Sequence, residues 1–353
     1  MIDRRINHKD LRDLAAALLS ASGTDESEVG TIADILIWAD LVGRSTQGIW
    51  CLKTLLQRLQ AGFIQSPCSP EFTQRTDGVV LVDGHNGFGR YIGYVAMLRA
   101  IELARRCGIG LAVVRNSSHF GAAAYYVHLA AQAGMIAFAF TNAPRRVAAH
   151  GGLRPIFGTN PIAFGAPLRD GDSVLVDFST SMVAGSVVRK GLESNEPIRE
   201  GVAIDQRGLP ATSPREIFAM LPFGGARGYC LSLLVEILAG VLTGSLMSFQ
   251  IPYILEKTQR ATRTGHVFLV IDVATLLPLQ EYHERMAMLV TAIKDSPLQP
   301  GVSEVLIPGE ARWRSYLKQI KEGILLDSET IESLESLAAE RKIATPWQST
   351  GPE

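Results

Sequence analysis

This 353-residue chain is short of several things. It has four cysteines, Cys51, Cys68, Cys107 and Cys230, with neither close pairing nor metal-ligand spacing. No disulfide framework and no cysteine-held metal is therefore expected, and reduced thiols in a cytoplasmic protein are the reading that follows. Charge of one sign is also missing: 34 Lys and Arg face 35 Asp and Glu, for a formal net charge of −1. Nothing in that balance favours nucleic acid or an anionic membrane as partner. The first twenty residues are charged and helical in period, without the apolar stretch of a secretory leader. One run, Gly228–Met247, is about long enough to span a bilayer. Glu236 at its centre and the lack of a second such run favour a buried core helix instead. Internal repeats and low-complexity tracts are absent.

An apolar fraction of 47% and a charged fraction of 20% suit a globular protein with a sizeable core. Helical periodicity marks residues 8–21, Ser27–Asp40 and Ile49–Leu59, with Gly23 and the polar turn Arg44-Ser45-Thr46-Gln47-Gly48 between them. Near Thr76 the period changes. Strands are predicted at Gly78–Gly84, Ile109–Asn116, Met135–Phe140, Ile162–Phe164, Val174–Phe178 and His266–Ile271, with a glycine-started helix over Gly87–Gly108. Helices return at Tyr282–Lys294, at Ala311–Glu322 and from Asp327. The expected fold class is α/β, in three stretches. Residues 1–75 form an N-terminal helical part, 76–285 a sheet-bearing domain, and 286–353 a C-terminal helical part. The two helical parts pack together, since neither could bury a core alone.

Several motifs invite chemistry. A strand followed by Gly87-x-Gly89 and a helix suggests a dinucleotide fingerprint, but the third glycine, Gly93, comes one residue late. The next strand ends in Arg115-Asn116 rather than an acidic residue, so a conventional Rossmann site is rejected for a glycine-capped turn. His119 lies between Asn116-Ser117-Ser118 and Gly121-Ala122-Ala123. A hydrogen-bonded histidine at a helix start is the plain alternative. The small residues and free N–H groups there suit a phosphate and a closely approaching ligand. Asp177-Phe178-Ser179-Thr180-Ser181 ends a strand with a carboxylate and three hydroxyls that could hold ribose or amide groups, or merely cap a helix. Gly158-Thr159-Asn160-Pro161 reads as a turn. Gly224-Gly225 with Arg227 resembles an anion seat before a long helix, with a structural turn as the alternative.

Together these motifs resemble the malate/L-lactate dehydrogenase family of non-Rossmann NAD(P)-dependent oxidoreductases, the ureidoglycolate dehydrogenase, diketogulonate reductase and piperideine-2-carboxylate reductase type. The likeness is carried by ADLVG (Ala39–Gly43), NSSHFGAAAYY (Asn116–Tyr126), TNAP (Thr141–Pro144), GTNPIAFGAP (Gly158–Pro167), DFSTS (Asp177–Ser181), LPFGG (Leu221–Gly225), the run Gly228–Gly244 and IPGE (Ile307–Glu310). It implies a large mixed sheet domain that binds NAD or NADP, a helical domain drawn from both termini, and a homodimer. It also implies a small 2-oxo, 2-hydroxy or cyclic imino acid as substrate.

On this resemblance His119, Phe120, Gly121, Ala122, Ala123, Asp177, Phe178, Ser179, Arg227, Gly309, Glu310 and Arg312 would hold the cofactor. Gln47, Thr46 and His119 would be catalytic, and Arg44, Cys51, Asn142 and Thr159 would meet the substrate. Relatives carry Ser-His-Gly, with an arginine four residues after the histidine, where this chain has Thr46, Gln47, Gly48 and Cys51. The proton-donating histidine and the carboxylate-gripping arginine are thus replaced. Relatives also have histidine and lysine where Ala226 and Arg227 stand. Glutamine polarises an oxygen but delivers no proton, and such acid catalysis is worth about 10²–10⁴-fold. Conventional malate or lactate turnover is therefore disfavoured. Three readings remain: an iminium substrate that needs no acid; substitute groups, with His119 as acid and Arg44, Arg145 or Arg146 gripping a carboxylate; or a pseudoenzyme or redox-neutral catalyst.

Overall fold

The first helices begin where a short polar side chain can accept the free N–H groups of an opening turn. Asn7 does this for α1 (His8–Ala21) and Asp25 for α2 (Glu26–Leu41), accepting from Lys9 N at 2.9 Å and Ser27 N at 3.0 Å. Two 3₁₀ turns, Ser45–Gln47 and Ile49–Cys51, lead into α3 (Leu52–Gln60). A computed structural model describes residues 3–347, apart from 170, 172, 186–187, 189–190, 192–196 and 253–259.

Seven strands form the main sheet: β2 (Glu71–Thr76), β3 (Val79–Asp83), β4 (Ile109–Ser117), β5 (Met135–Thr141), β8 (Ile162–Pro167), β9 (Ser173–Phe178) and β12 (Thr264–Asp272). Their spatial order is β2-β3-β4-β12-β5-β8-β9. Only β3 and β4 pair in parallel; the other neighbours are antiparallel, so the sheet is mixed. The strands expected from sequence are present; β3 is a residue shorter at each end than Gly78–Gly84, and the other five are extended by a residue or more. β2 was not foreseen, because its exposed Glu-Phe-Thr-Gln-Arg-Thr has no apolar alternation, as befits a sheet edge. A smaller sheet joins β6 (Val147–Ala148), β7 (Pro155–Phe157), β10 (Ala203–Ile204) and β11 (Ala219–Met220).

Between strands, α4 (Gly89–Cys107) and α5 (Ala123–Gln132) lie on the main sheet. Ala96, Met97, Ala100, Val127 and Ala130 share a core with Val82, Val114, Ala137 and Phe268. The contact is close because Gly110 of β4 has no side chain: a Cβ there would stand 1.9 Å from the carbonyl oxygen of Ala100. Later come α6 (Ala226–Glu236), α7 (Leu279–Lys294), α8 (Glu310–Glu322), β13 (Ile324–Leu326) and α9 (Ser328–Glu340). β1 (Arg4–Ile6) pairs with β13, and Leu11, Ile32, Leu36 and Leu52 pack with Ile324, Ile331 and Leu334.

The run expected as one buried helix differs. After α6 the chain widens into a π-helical segment, Ile237–Leu242, and Leu233, Leu234, Ile237, Val241 and Leu242 are exposed, Val241 at 59%. Glu236 must face inward to its partners, which turns the opposite apolar side outward. Among the described residues no helix is long and apolar enough to cross a membrane.

Register decides where the ends fall. Thr264 pairs with Ser117, His266 with Thr141, and Ile162 with Phe178. The finishing ends of β4, β5 and β9 therefore meet the starting ends of β8 and β12 at one side of the sheet. Gly110→Ala is expected to lower unfolding free energy in urea by about 3 kcal/mol, because the added methyl must separate α4 from β4. Unchanged stability would mean that this helix and strand do not approach as described.

Candidate active site

A cleft of about 700 Å³ opens at that end of the sheet. Its floor is laid by turns that leave the strands: Ser118–Ala123 after β4, Thr141–Pro144 after β5, Thr159 and Pro161 before β8, and Asp177–Ser179 at the end of β9. The facing wall comes from the N-terminal part, with Arg44, Thr46, Gln47 and Cys51, and extends along α3 to Thr54 and Arg58. Both walls expected from sequence thus meet in one cavity.

The turn that carries Gln47 is set by sterics. Asp40 Oδ2 accepts from Ile49 N at 2.7 Å, and a Cβ on Gly48 would stand 2.2 Å from Asp40 Oδ1. Only glycine fits there. Gly89 plays a similar part on the other side: its N–H donates to Ser118 Oγ at 2.8 Å, and a Cβ would stand 2.0 Å from the Ser118 carbonyl oxygen. The Gly87-x-Gly89 pair therefore serves close packing. That packing delivers the next side chain, Arg90, into the cleft, where its Nη2 donates to the Gln47 carbonyl at 3.1 Å.

His119 is half-buried at the cleft. Burial first, then the charges of Arg90, His266 and Arg58, push its pKa down to about 3. Its Nδ1 accepts the Gly121 N–H at 3.3 Å, which leaves the ring proton on Nε2. The neutral ring can donate a hydrogen bond from Nε2, and its burial disfavours the protonated form. The start of α5 is not the open phosphate seat expected. Asp177 Oδ2 accepts the Ala124 N–H at 3.2 Å, so a carboxylate already occupies that helix N-terminus.

Other sequence expectations fall outside the cavity. Arg227 is exposed on the first turn of α6, because the Gly224-Gly225 turn leads it to solvent. Gly309 is pressed against β9, where a Cβ would meet Leu175 N and Ser173 O at 2.9 Å. Glu310 bonds Lys294 Nζ at 2.5 Å and Ile307 N at 3.0 Å. Arg312 supports the site from behind, donating to the Asp177 carbonyl at 3.0 Å. Asn142 lines the cleft, but its Nδ2 donates to Leu246 O at 2.7 Å and its Oδ1 accepts Gly265 N at 3.1 Å, so it serves as wall. Arg90, Arg58 and Asp40 were not singled out from sequence.

Residues 6–335 match the family described as malate/L-lactate dehydrogenase. This chain belongs to that family. It is 34% identical over 344 residues to a malate/(S)-sulfolactate dehydrogenase of Methanothermus fervidus, covering 97% of this chain and 99% of that one. It is 30% identical over 336 residues to a Delta(1)-pyrroline-2-carboxylate/Delta(1)-piperideine-2-carboxylate reductase of Pseudomonas syringae pv. tomato, covering 94% and 96% of the two chains. The crystal structure of malate dehydrogenase from Entamoeba histolytica superposes with a TM-score of 0.93 at 30% identity, covering 98% of this chain and 99% of that one. The homologues are NAD(P)-dependent dehydrogenases and reductases of small acids.

A family nicotinamide cofactor fits the cavity in size and lining. Gly121, at φ +85°, and the small side chains of Ala122 and Ala123 let a flat ring approach the backbone, with Asp177–Ser179 supplying acceptors and hydroxyls nearby. Beneath the cleft, burial pushes His266 down to about 3 and His128 to about 4. The unfolded chain thus binds more protons as pH falls below the ordinary 6.5, and each of these two withdraws about 2 kcal/mol of stability by pH 5. Asp40 runs the other way. Burial raises it to about 8, so its contribution is complete at low pH and is lost as pH rises toward that value. Urea unfolding is expected to show stability falling on both sides of about pH 6.5, with Asp40→Asn flattening the alkaline side and steepening the acid side. A profile that is level from pH 5 to 7 would contradict neutral buried histidines.

Proposed function

We propose that this family member is an NAD(P)-dependent reductase of a small cyclic imino acid, with 2-oxo acids as poorer substrates. One observation carries the reading. The wall that meets the substrate presents Thr46, Gln47 and Cys51, and the histidine across from it is neutral, so among the described residues that wall offers neither an imidazolium nor a carboxylic acid as proton donor. A ketone needs that proton as its oxygen turns into an alkoxide, whereas an iminium brings its charge along and leaves as a neutral amine.

When bound, the nicotinamide supplies hydride. The chain's own residues do the rest. The Gly121–Ala123 turn and Asp177–Ser179 hold the flat ring and its sugar, and Thr159 and His119 Nε2–H bound the reacting centre. Gln47 offers a carbonyl oxygen to a substrate N–H. The exposed strip on α6 and the π segment supports a homodimer. Sedimentation is expected to show a dimer that Val241→Glu shifts toward monomer; a monomeric parent chain ends that part of the reading.

NADH or NADPH is expected to bind the purified chain, and Δ1-piperideine-2-carboxylate to be reduced faster than oxaloacetate. Gln47→His combined with Cys51→Arg is expected to raise 2-oxo acid reduction by roughly 10²-fold. If neither nucleotide binds at millimolar concentration, the chain is a relative that no longer transfers hydride. Oxaloacetate turned over by the parent as well as the imine would overturn the substrate preference.

A further inference from the structure

The cleft contains more positive charge than its nicotinamide wall uses. Arg90 is 1% exposed, and its Nε and Nη1 find no hydrogen-bond partner among the described residues. Its Nη2 spends one hydrogen on the Gln47 carbonyl. Arg58, 6% exposed, also lines the cavity, over the Phe63 ring at 5.5 Å, and among the described residues its one hydrogen bond is a long one of 3.5 Å to the Arg260 carbonyl. Among the described residues neither guanidinium has a carboxylate bonded to it. Asp40 lies near Arg90, but its Oδ1 is itself without a partner. Two more cleft atoms are orphaned in the same way, Gln47 Oε1 and Thr262 Oγ1.

A buried guanidinium with idle donors is costly to fold around, and such groups gather where a ligand completes them. Gly121 leaves the Arg90 edge uncovered, since a Cβ there would stand only 3.3 Å from its Nε. Both arginines also lie near enough to His119 to lower its proton affinity, which places them at the reacting end of the cleft.

We infer that Arg90, with Arg58 beside it, seats the substrate's carboxylate and takes over the role that Cys51 cannot perform. The guanidinium fork matches a carboxylate in two bonds, and anchoring Arg90 on the Gln47 carbonyl fixes that fork relative to the amide facing the substrate N–H. Thr262 Oγ1 supplies a neutral donor at the same end. The seat implies a substrate whose acid group is directly attached to the reacting carbon, because Gln47 and Arg90 are bonded neighbours. This inference rests on the small-acid reading proposed above.

The test uses the flat acid pyrrole-2-carboxylate and its uncharged twin pyrrole-2-carboxamide, titrated calorimetrically into the full chain with and without NADPH. Arg90→Gln is expected to weaken the carboxylate by about 10- to 100-fold and leave the carboxamide unchanged, with Arg90→Lys intermediate. Arg58→Gln is expected to weaken the carboxylate less. Equal loss for acid and amide, or no loss for either, overturns the assignment, as does a parent chain that binds neither compound. Should Arg90→Gln fail to fold, a co-crystal of the parent chain decides: the carboxylate within hydrogen-bonding distance of Arg90 supports the seat, and a carboxylate elsewhere in the cleft removes it. Carboxylate binding through Arg90 without any nucleotide binding would end the redox reading and leave this one standing. Nucleotide binding with carboxylate affinity indifferent to Arg90 would do the reverse.

Discussion

One buried carboxyl group, that of Glu236, holds the floor of the cleft together. It accepts from Asn160 Nδ2 at 2.8 Å, from Ser248 N at 2.7 Å, from Ser248 Oγ, and more distantly from Asn142 Nδ2 at 3.5 Å. Those donors belong to the end of β5, the turn before β8 and the loop after the π segment. Three chain reversals are thereby tied to one side chain. The helix pays in regularity. Directly after Glu236 it widens into the π segment, where a Cβ on Gly240 would stand 2.8 Å from Glu236 Oε1, and one on Gly265 would stand 1.9 Å from the Ala239 carbonyl oxygen. Two bare glycines let the widened turn lie against β12, and the apolar side left over faces outward.

Around that floor the charges are unequal. Among the described residues Arg44, Arg58, Arg90 and Arg146 line the cavity against one carboxylate, that of Asp177. Asp177 is itself committed: it caps α5, and Arg312 stands 4.0 Å from its Oδ2. An anionic ligand is what such a cavity can hold, and this agrees with the small acids of the family's dehydrogenases and reductases. Burial first, and then the charges of Arg90 and Arg58, disfavour the protonated form of His119, so the arginines that attract an acid also weaken the nearest proton source. Substrate binding and proton supply pull against each other here. A substrate that arrives already protonated resolves the conflict.

Much of this was legible in the sequence, for a reason the topology makes plain. Every motif that carries the family likeness on the sheet side (Asn116–Ala123, Thr141–Pro144, Gly158–Pro161, Asp177–Ser181) leaves or enters a strand at the same end, so ordered motifs map onto one cavity. Strand alternation gave β3, β4, β5 and β12 nearly to the residue. The helix-borne groups were not legible. Arg90 opens α4 and reads as a solvated first-turn residue, and Arg58 reads as a cation suited to the end of α3. Only tertiary packing, through the bare Cα of Gly89, shows that Arg90 points into a cavity. The run after Gly228 misled because hydropathy registers how apolar a helix is but not which side of it meets protein.

The turn bearing Gln47 is fixed from both of its sides. Gly48 stands where any side chain would collide with Asp40, and the Ile49 N–H is fixed on the same carboxyl group. The Asp40 and Leu41 carbonyls are in turn held by Gln319 Nε2 of α8, at 2.6 and 3.0 Å. The backbone at Gly48 and Ile49 is therefore positioned from beneath, while two groups that line the cleft, Arg90 Nη2 and the Cys51 thiol, hold the Gln47 and Thr46 carbonyls at 3.1 and 3.2 Å. Thr46, Gln47 and Cys51 line the cleft from that turn. The frame that presents them belongs to Asp40, Gly48 and Gln319.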